Sequence, residues 1–94
     1  MCIQKPTTHM IELCKELGTG FTIRVIDAEQ VIYKDFGNFD VEISGANTTS
    51  KTKKVTIYVW NKTNGLSIIE TIPDVSQHSI GDHIKEIEYK YKNL

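Results

Sequence analysis

The sequence predicts an α+β fold: an antiparallel meander of about five strands, with an N-terminal and a C-terminal helix packed on one face. Apolar residues recur at helical spacing only near the two ends, whereas between the ends they alternate at a spacing of two in five short runs. The connections are short, which favours strands pairing in chain order. Residues 1–94 are read as one domain, since separate cores rarely fit below roughly 100 residues each. A small five-strand barrel with a helix over one mouth is the alternative arrangement.

The first helix is carried by Met10, Leu13, Cys14 and Leu17, which fall at i, i+3, i+4 and i+7, with His9, Glu12, Lys15 and Glu16 on the polar side. Thr7 or Thr8 supplies the N-cap, and Gly18 suits the left-handed position past the end. Phe21-Thr22-Ile23-Arg24-Val25 alternates as a first strand, and residues 31–36 form a second after the polar turn Asp27-Ala28-Glu29-Gln30. Gly37-Asn38 then turns the chain into Phe39-Asp40-Val41-Glu42-Ile43, whose two carboxylates point away from the apolar side. Residues 45–53 are polar, Thr-rich and aperiodic, a loop or long hairpin tip. Val55-Thr56-Ile57-Tyr58-Val59-Trp60 is the strongest strand, all β-branched or aromatic. After the turn at residues 61–65 a fifth strand covers residues 66–72 and ends at Pro73. The last helix follows Ser79-Ile80-Gly81-Asp82, a loose capping box, with Ile80, Ile84, Ile87 and Tyr91 on one stripe. Glu86–Lys90 and Glu88–Lys92 are placed to pair along it.

Composition narrows the function classes. Eleven basic against twelve acidic side chains give a formal charge of −1, which counts against a dedicated polyanion binder. No apolar run approaches the ~18–20 residues of a membrane helix, and the first six residues lack an apolar export core, so a cytoplasmic setting with both Cys2 and Cys14 reduced is expected. Strand content accounts for part of the excess of thirteen Ile over four Leu, but nothing in packing favours ten Lys over one Arg, a bias that points to an AT-rich bacterial or phage genome.

The element order resembles that of double-stranded-RNA-binding domains, and a helix followed by five strands resembles the Sm-like RNA-binding fold. The residues depart from both. Ser79-Ile80-Gly81-Asp82-His83, where the former family carries phosphate-contacting basic residues, holds no lysine before Lys85. The basic cluster that exists, Lys51, Lys53 and Lys54, lies in the polar loop and reads first as a solvated segment that keeps a sheet edge from pairing. A nucleic-acid-binding module that combines these lysines with Tyr58 and Trp60 as stacking platforms is the alternative function.

No metal, cofactor or catalytic site is expected. His78, Asp82, His83, His9 and Cys14 lack the spacing of a zinc site. Asp40 and Glu42, with Asp35 across the hairpin, have the residue types for acid–base chemistry but read as the solvated face of a strand. Glycine-rich phosphate loops, GxSxG and HExxH are absent from the sequence.

The pattern that remains is an interface. If Val55, Ile57 and Val59 face the core, Thr56, Tyr58 and Trp60 line the opposite face, where Arg24, the sole arginine, takes the same parity and Tyr33 can join it. Tyr, Trp and Arg dominate protein-binding hot spots, and Asp40 and Glu42 are placed to frame them as charge complements. The expectation is therefore a non-catalytic protein-binding module, with Arg24, Tyr58 and Trp60 as anchors and another protein as partner. An exposed sheet edge is also open to completion by a second copy, giving a homodimer. In size and style the chain is similar to small phage or mobile-element inhibitors of host machinery, anti-CRISPR proteins among them.

Overall fold

The computed structural model describes residues 5–63 and 65–94. The expectations for Cys2, for the export-signal region at residues 1–4 and for Asn64 in the turn at residues 61–65 lie outside the described residues. Helix α1 (Thr8–Leu17) is followed by strands β1 (Thr22–Ile26), β2 (Glu29–Asp35), β3 (Phe39–Ser44), β4 (Val55–Asn61) and β5 (Ser67–Val75), then by a 3₁₀ turn (Gln77–Ser79) and helix α2 (Ile80–Tyr91). The strands pair antiparallel in the order β1-β2-β3-β4-β5. The sheet stays open rather than closing into the alternative barrel, so β1 and β5 are its edges.

Both helices pack on one sheet face. Met10 and Leu13 of α1 and Ile80, Ile84 and Ile87 of α2 join Ile32, Val41, Ile43, Val55, Ile57 and Val59 in a single buried cluster. Thr7 caps α1 by accepting the Met10 backbone N–H at 3.1 Å, and Gly18 takes the positive φ of 107° beyond its end. The cap at α2 differs from the capping box of the sequence. The preceding 3₁₀ turn runs straight into the helix, and the Ser79 hydroxyl turns back to donate to the Ser76 carbonyl at 3.0 Å. Lys90 also departs from its helical neighbour Glu86 and reaches Glu70 of β5 at 3.1 Å, where the Tyr91 hydroxyl already donates at 2.7 Å.

β5 does not stop at Pro73 but runs through it. An edge strand tolerates the missing N–H on its outer side, and the irregularity is absorbed by a register shift between Val55 and Ile57 and by a positive φ of 55° at Asp74. The loop at residues 45–54 is not a free tip. It is held on the helix side of the sheet by Thr7, whose N–H donates to Asn47 Oδ1 and whose hydroxyl donates to the Thr48 carbonyl, at 2.8 and 3.0 Å. The buried Gln77 amide adds bonds to the Ser50 and Lys53 carbonyls at 3.0 and 2.9 Å. Because the Gln77 Nε2 donates in both of those bonds, its Oε1 is left to accept, which fixes the proton on His9 Nε2 in their 2.6 Å contact.

Candidate functional site

The register defines a second sheet face on which, among the described residues, no helix packs. One row across it reads Thr22, Tyr33, Glu42, Tyr58 and Thr71, and the next reads Asp35, Asp40, Trp60 and Ile68. The strand alternation in β4 produces this directly: Val55, Ile57 and Val59 are buried under the helices, and Thr56, Tyr58 and Trp60 are half-buried on the other side. Arg24 faces the same way, opposite Val31, which is fully buried although it lies outside the helix-side cluster. All five residues expected to form the interface therefore share this face.

Asp40 and Glu42 differ from expectation in one respect. They occupy the expected face, but each is only 6% exposed and neither is a solvated side chain. Strand alternation sets the side on which a residue lies, whereas its cover comes from neighbouring strands. Glu42 lies between Tyr33 and Tyr58 in register and accepts from Trp60 Nε1 at 3.0 Å. Burial pushes the Glu42 carboxyl above its usual value. The indole bond pulls it back, and nearby Glu29 and Asp27 push it up further.

Asp40 is held differently. Its Oδ2 accepts from the Tyr33 hydroxyl at 2.5 Å, and its Oδ1 lies 2.9 Å from Lys62 Nζ in an ion pair without hydrogen-bond alignment. Asp35 is the direct cross-strand neighbour of Asp40, an arrangement of like charges that costs stability unless it is bridged. Lys62 bridges it, reaching Asp35 Oδ1 at 2.7 Å. The Lys62 bond, seconded by the Gly37 N–H, draws the Asp35 carboxyl below the ordinary range, and Asp35 in turn raises the Lys62 ammonium. Burial, reinforced by Asp40, raises the Tyr33 phenol.

Above this layer the Arg24 guanidinium lies 4.3 Å from the centroid of the Tyr33 ring, a cation–π contact. Arg24 is exposed, and among the described residues no carboxylate pairs with it. At the far end, Ile68 is 47% exposed beside Trp60, and Leu66 in the adjoining turn is 63% exposed. The face thus combines two anchored aromatics, an arginine with free donors, an apolar end and a majority of carboxylates: Glu29, Asp35, Asp40 and Glu42 against Arg24 and Lys62.

Lys62, Leu66 and Ile68 were not singled out by sequence reasoning. Lys62 reaches Asp35 and Asp40 because successive turns of a meander alternate ends, so the β2–β3 and β4–β5 turns meet; the Lys62 N–H donates to the Asn38 carbonyl at 3.1 Å. The exposure of Ile68 comes from a register shift between Val59 and Trp60, which alternation along a single strand does not reveal.

The residues of the alternative reading are not brought together. Lys51, Lys53 and Lys54 are exposed, but their loop is tied to the helix side. There Lys51 lines a cavity of about 500 Å³ with His9, Glu12, Glu16 and His78, across the sheet from Tyr58 and Trp60. Among the described residues no three His, Cys, Asp or Glu side chains gather as a metal site, and no helix is long and apolar enough to cross a membrane. Compared with known proteins, the chain matches no family model, no curated protein and no solved structure.

Proposed function

We propose that the chain is a non-catalytic protein-binding module that docks a partner on its helix-free sheet face, with Trp60, Tyr58 and Arg24 as anchors. The observation that carries this reading is the state of Trp60. Its ring is half-exposed on an uncovered face while its Nε1 is fixed by the buried Glu42, so a large amphipathic group is held ready. Such a side chain has little rotamer freedom left to lose on contact, a loss that otherwise costs about 0.5–1.5 kcal/mol. Ile68 and Leu66 extend the apolar end, and the excess of carboxylates suits a partner whose contact surface is cationic around an apolar spot. The small size and the Ile and Lys bias extend the proposal to an inhibitor encoded by a phage or mobile element.

The test is capture by the immobilised chain, comparing wild type with Arg24→Ala and Trp60→Ala after circular dichroism has established that each variant is folded. The expected result is a protein retained by the wild type, released by raised salt, and lost from both variants. Retention of the same protein by all three chains ends this reading. Salt-sensitive quenching of Trp60 by an added oligonucleotide would replace it with the nucleic-acid alternative.

A further inference from the structure

The two edges of the sheet are not equivalent. β5 carries Pro73, a residue of positive φ at Asp74 and two register shifts, each of which spoils the straight row of donors and acceptors that another strand needs. β1 has none of these devices. It is five regular residues, Thr22–Ile26, with Val25 47% exposed.

The two-residue turn at Asp27 and Ala28 makes Ile26 and Glu29 the closing pair of the β1–β2 hairpin. Bonding then alternates along β1, so the peptide groups of Arg24 and Thr22 point to β2, and those of Ile23 and Val25 point outward. The side chains on the helix side of this strand read Phe21, Ile23, Val25, an apolar row symmetric about Ile23.

That symmetry selects an occupant. An antiparallel second copy centred on Ile23 sets Ile23 against Ile23, Phe21 against Val25, and Thr22 against Arg24. Centring on Arg24 instead places two guanidinium groups directly opposite, and centring on Val25 places Ile23 against Asp27. Only the first register joins all the apolar residues without opposing like charges. It also runs the hairpin turn of one copy past the exposed Thr19 and Gly20 of the other.

We propose that β1 is a self-pairing edge: two copies join β1 to β1 antiparallel about Ile23 and extend the five-stranded sheet to ten strands. This is an isologous contact, made by the same residues on both copies. It does not rest on the protein-binding reading, because the helix-free face stays open in such a dimer. One short strand buries less than the ~1,200 Å² of a standard interface, so the pairing is of the weak, transient class and is sought at high chain concentration.

The experiment is sedimentation equilibrium of the whole chain from about 5 to about 500 µM, with amide exchange at both ends of that range. The expected result is a mass rising from 10.7 kDa toward twice that value. The Ile23 and Val25 amides should slow several-fold as concentration rises, while those of β5 do not change. Val25→Lys, at an exposed position, should hold the chain monomeric at about 500 µM, and Trp60→Ala should dimerise like the wild type. A single-chain mass at the highest concentration overturns the proposal. So does a dimer that survives Val25→Lys, or one that leaves Ile23 exchange unchanged.

Discussion

Replacing Glu42 by Gln tests whether the carboxylate under Trp60 is ionised against its own burial. Glu42 is 6% exposed, takes a 3.0 Å bond from Trp60 Nε1, and has the carboxylates of Glu29 and Asp27 as charged neighbours. Burial raises its folded pKa above the ordinary 4.5. Between those two values the folded state binds more protons than the unfolded state, so stability is greatest below 4.5 and declines as pH rises through the folded value. Gln keeps an acceptor for the indole and removes the charge. Glu42→Gln should therefore be at least as stable as wild type at pH 7, by on the order of 1 kcal/mol, and should lose this pH dependence. Trp60→Phe completes the argument. It deletes a bond worth ~1.5–3 kcal/mol to a charged acceptor but only ~0.5–1.5 kcal/mol to a neutral one, so its penalty should shrink by about 1 kcal/mol once Glu42 is protonated. Trp60 is the sole tryptophan, so its emission reports both urea unfolding and the native-state titration of its neighbour; the Phe variant is followed by circular dichroism. Emission that titrates at or below pH 4.5, or a Gln variant clearly less stable than wild type at pH 7, refutes the reasoning.

The other predictions concern the scaffold. Asp27 and Ala28 both have positive φ, 50° and 64°, in the β1–β2 turn, and only the second lacks a side chain suited to it. Ala28→Gly should stabilise the chain by roughly 0.5–1.5 kcal/mol and raise the thermal midpoint by several degrees; a lower midpoint contradicts the turn geometry. Gln77→Leu removes the bonds to His9, Ser50 and Lys53 at one buried position. The expected loss is about 2–3 kcal/mol, with faster amide exchange across residues 45–54, and unchanged exchange there shows that the amide does not anchor the loop.

The helices and strands were legible in the sequence because each announces itself through a local period. The stripe from Met10 to Leu17 and the alternation from Val55 to Trp60 both match the buried residues on the helix side. Pro73 misled the reading of the fifth strand, because a proline excludes a central strand but not an outer one, and strand order does not follow from residue type. The candidate face was legible as a side and not as a layer. Parity put Asp40 and Glu42 opposite the core, but their burial comes from Tyr33 and Trp60, seven residues from Asp40 and eighteen from Glu42 along the chain. The Lys62 bridge to Asp35 spans twenty-seven residues, a contact made by the meander and invisible to any short window.

A sheet face that needed only to be wetted would be served by exposed Thr, Lys and Glu. This face instead buries Val31, Tyr33, Asp40 and Glu42 with, among the described residues, no helix above them. Burying carboxylates this way gives little net stability, since desolvation offsets most of the coulombic gain even where Lys62 closes the pair. What the arrangement does supply is fixed geometry: the Tyr33 hydroxyl is tied to Asp40, the Trp60 indole to Glu42, and Arg24 rests on the Tyr33 ring. It also discriminates between partners. A purely apolar surface laid over Trp60 would remove the remaining water from Glu42 without supplying a donor, at a cost of about 1–3 kcal/mol. A surface bringing a lysine or arginine to the same place would draw the Glu42 carboxyl back down and gain a charge-assisted bond. The buried carboxylate that weakens the isolated chain above its own pKa is therefore the feature that selects a cationic partner in the proposed contact. Partner affinity should accordingly fall in Glu42→Gln while the stability of the free chain does not.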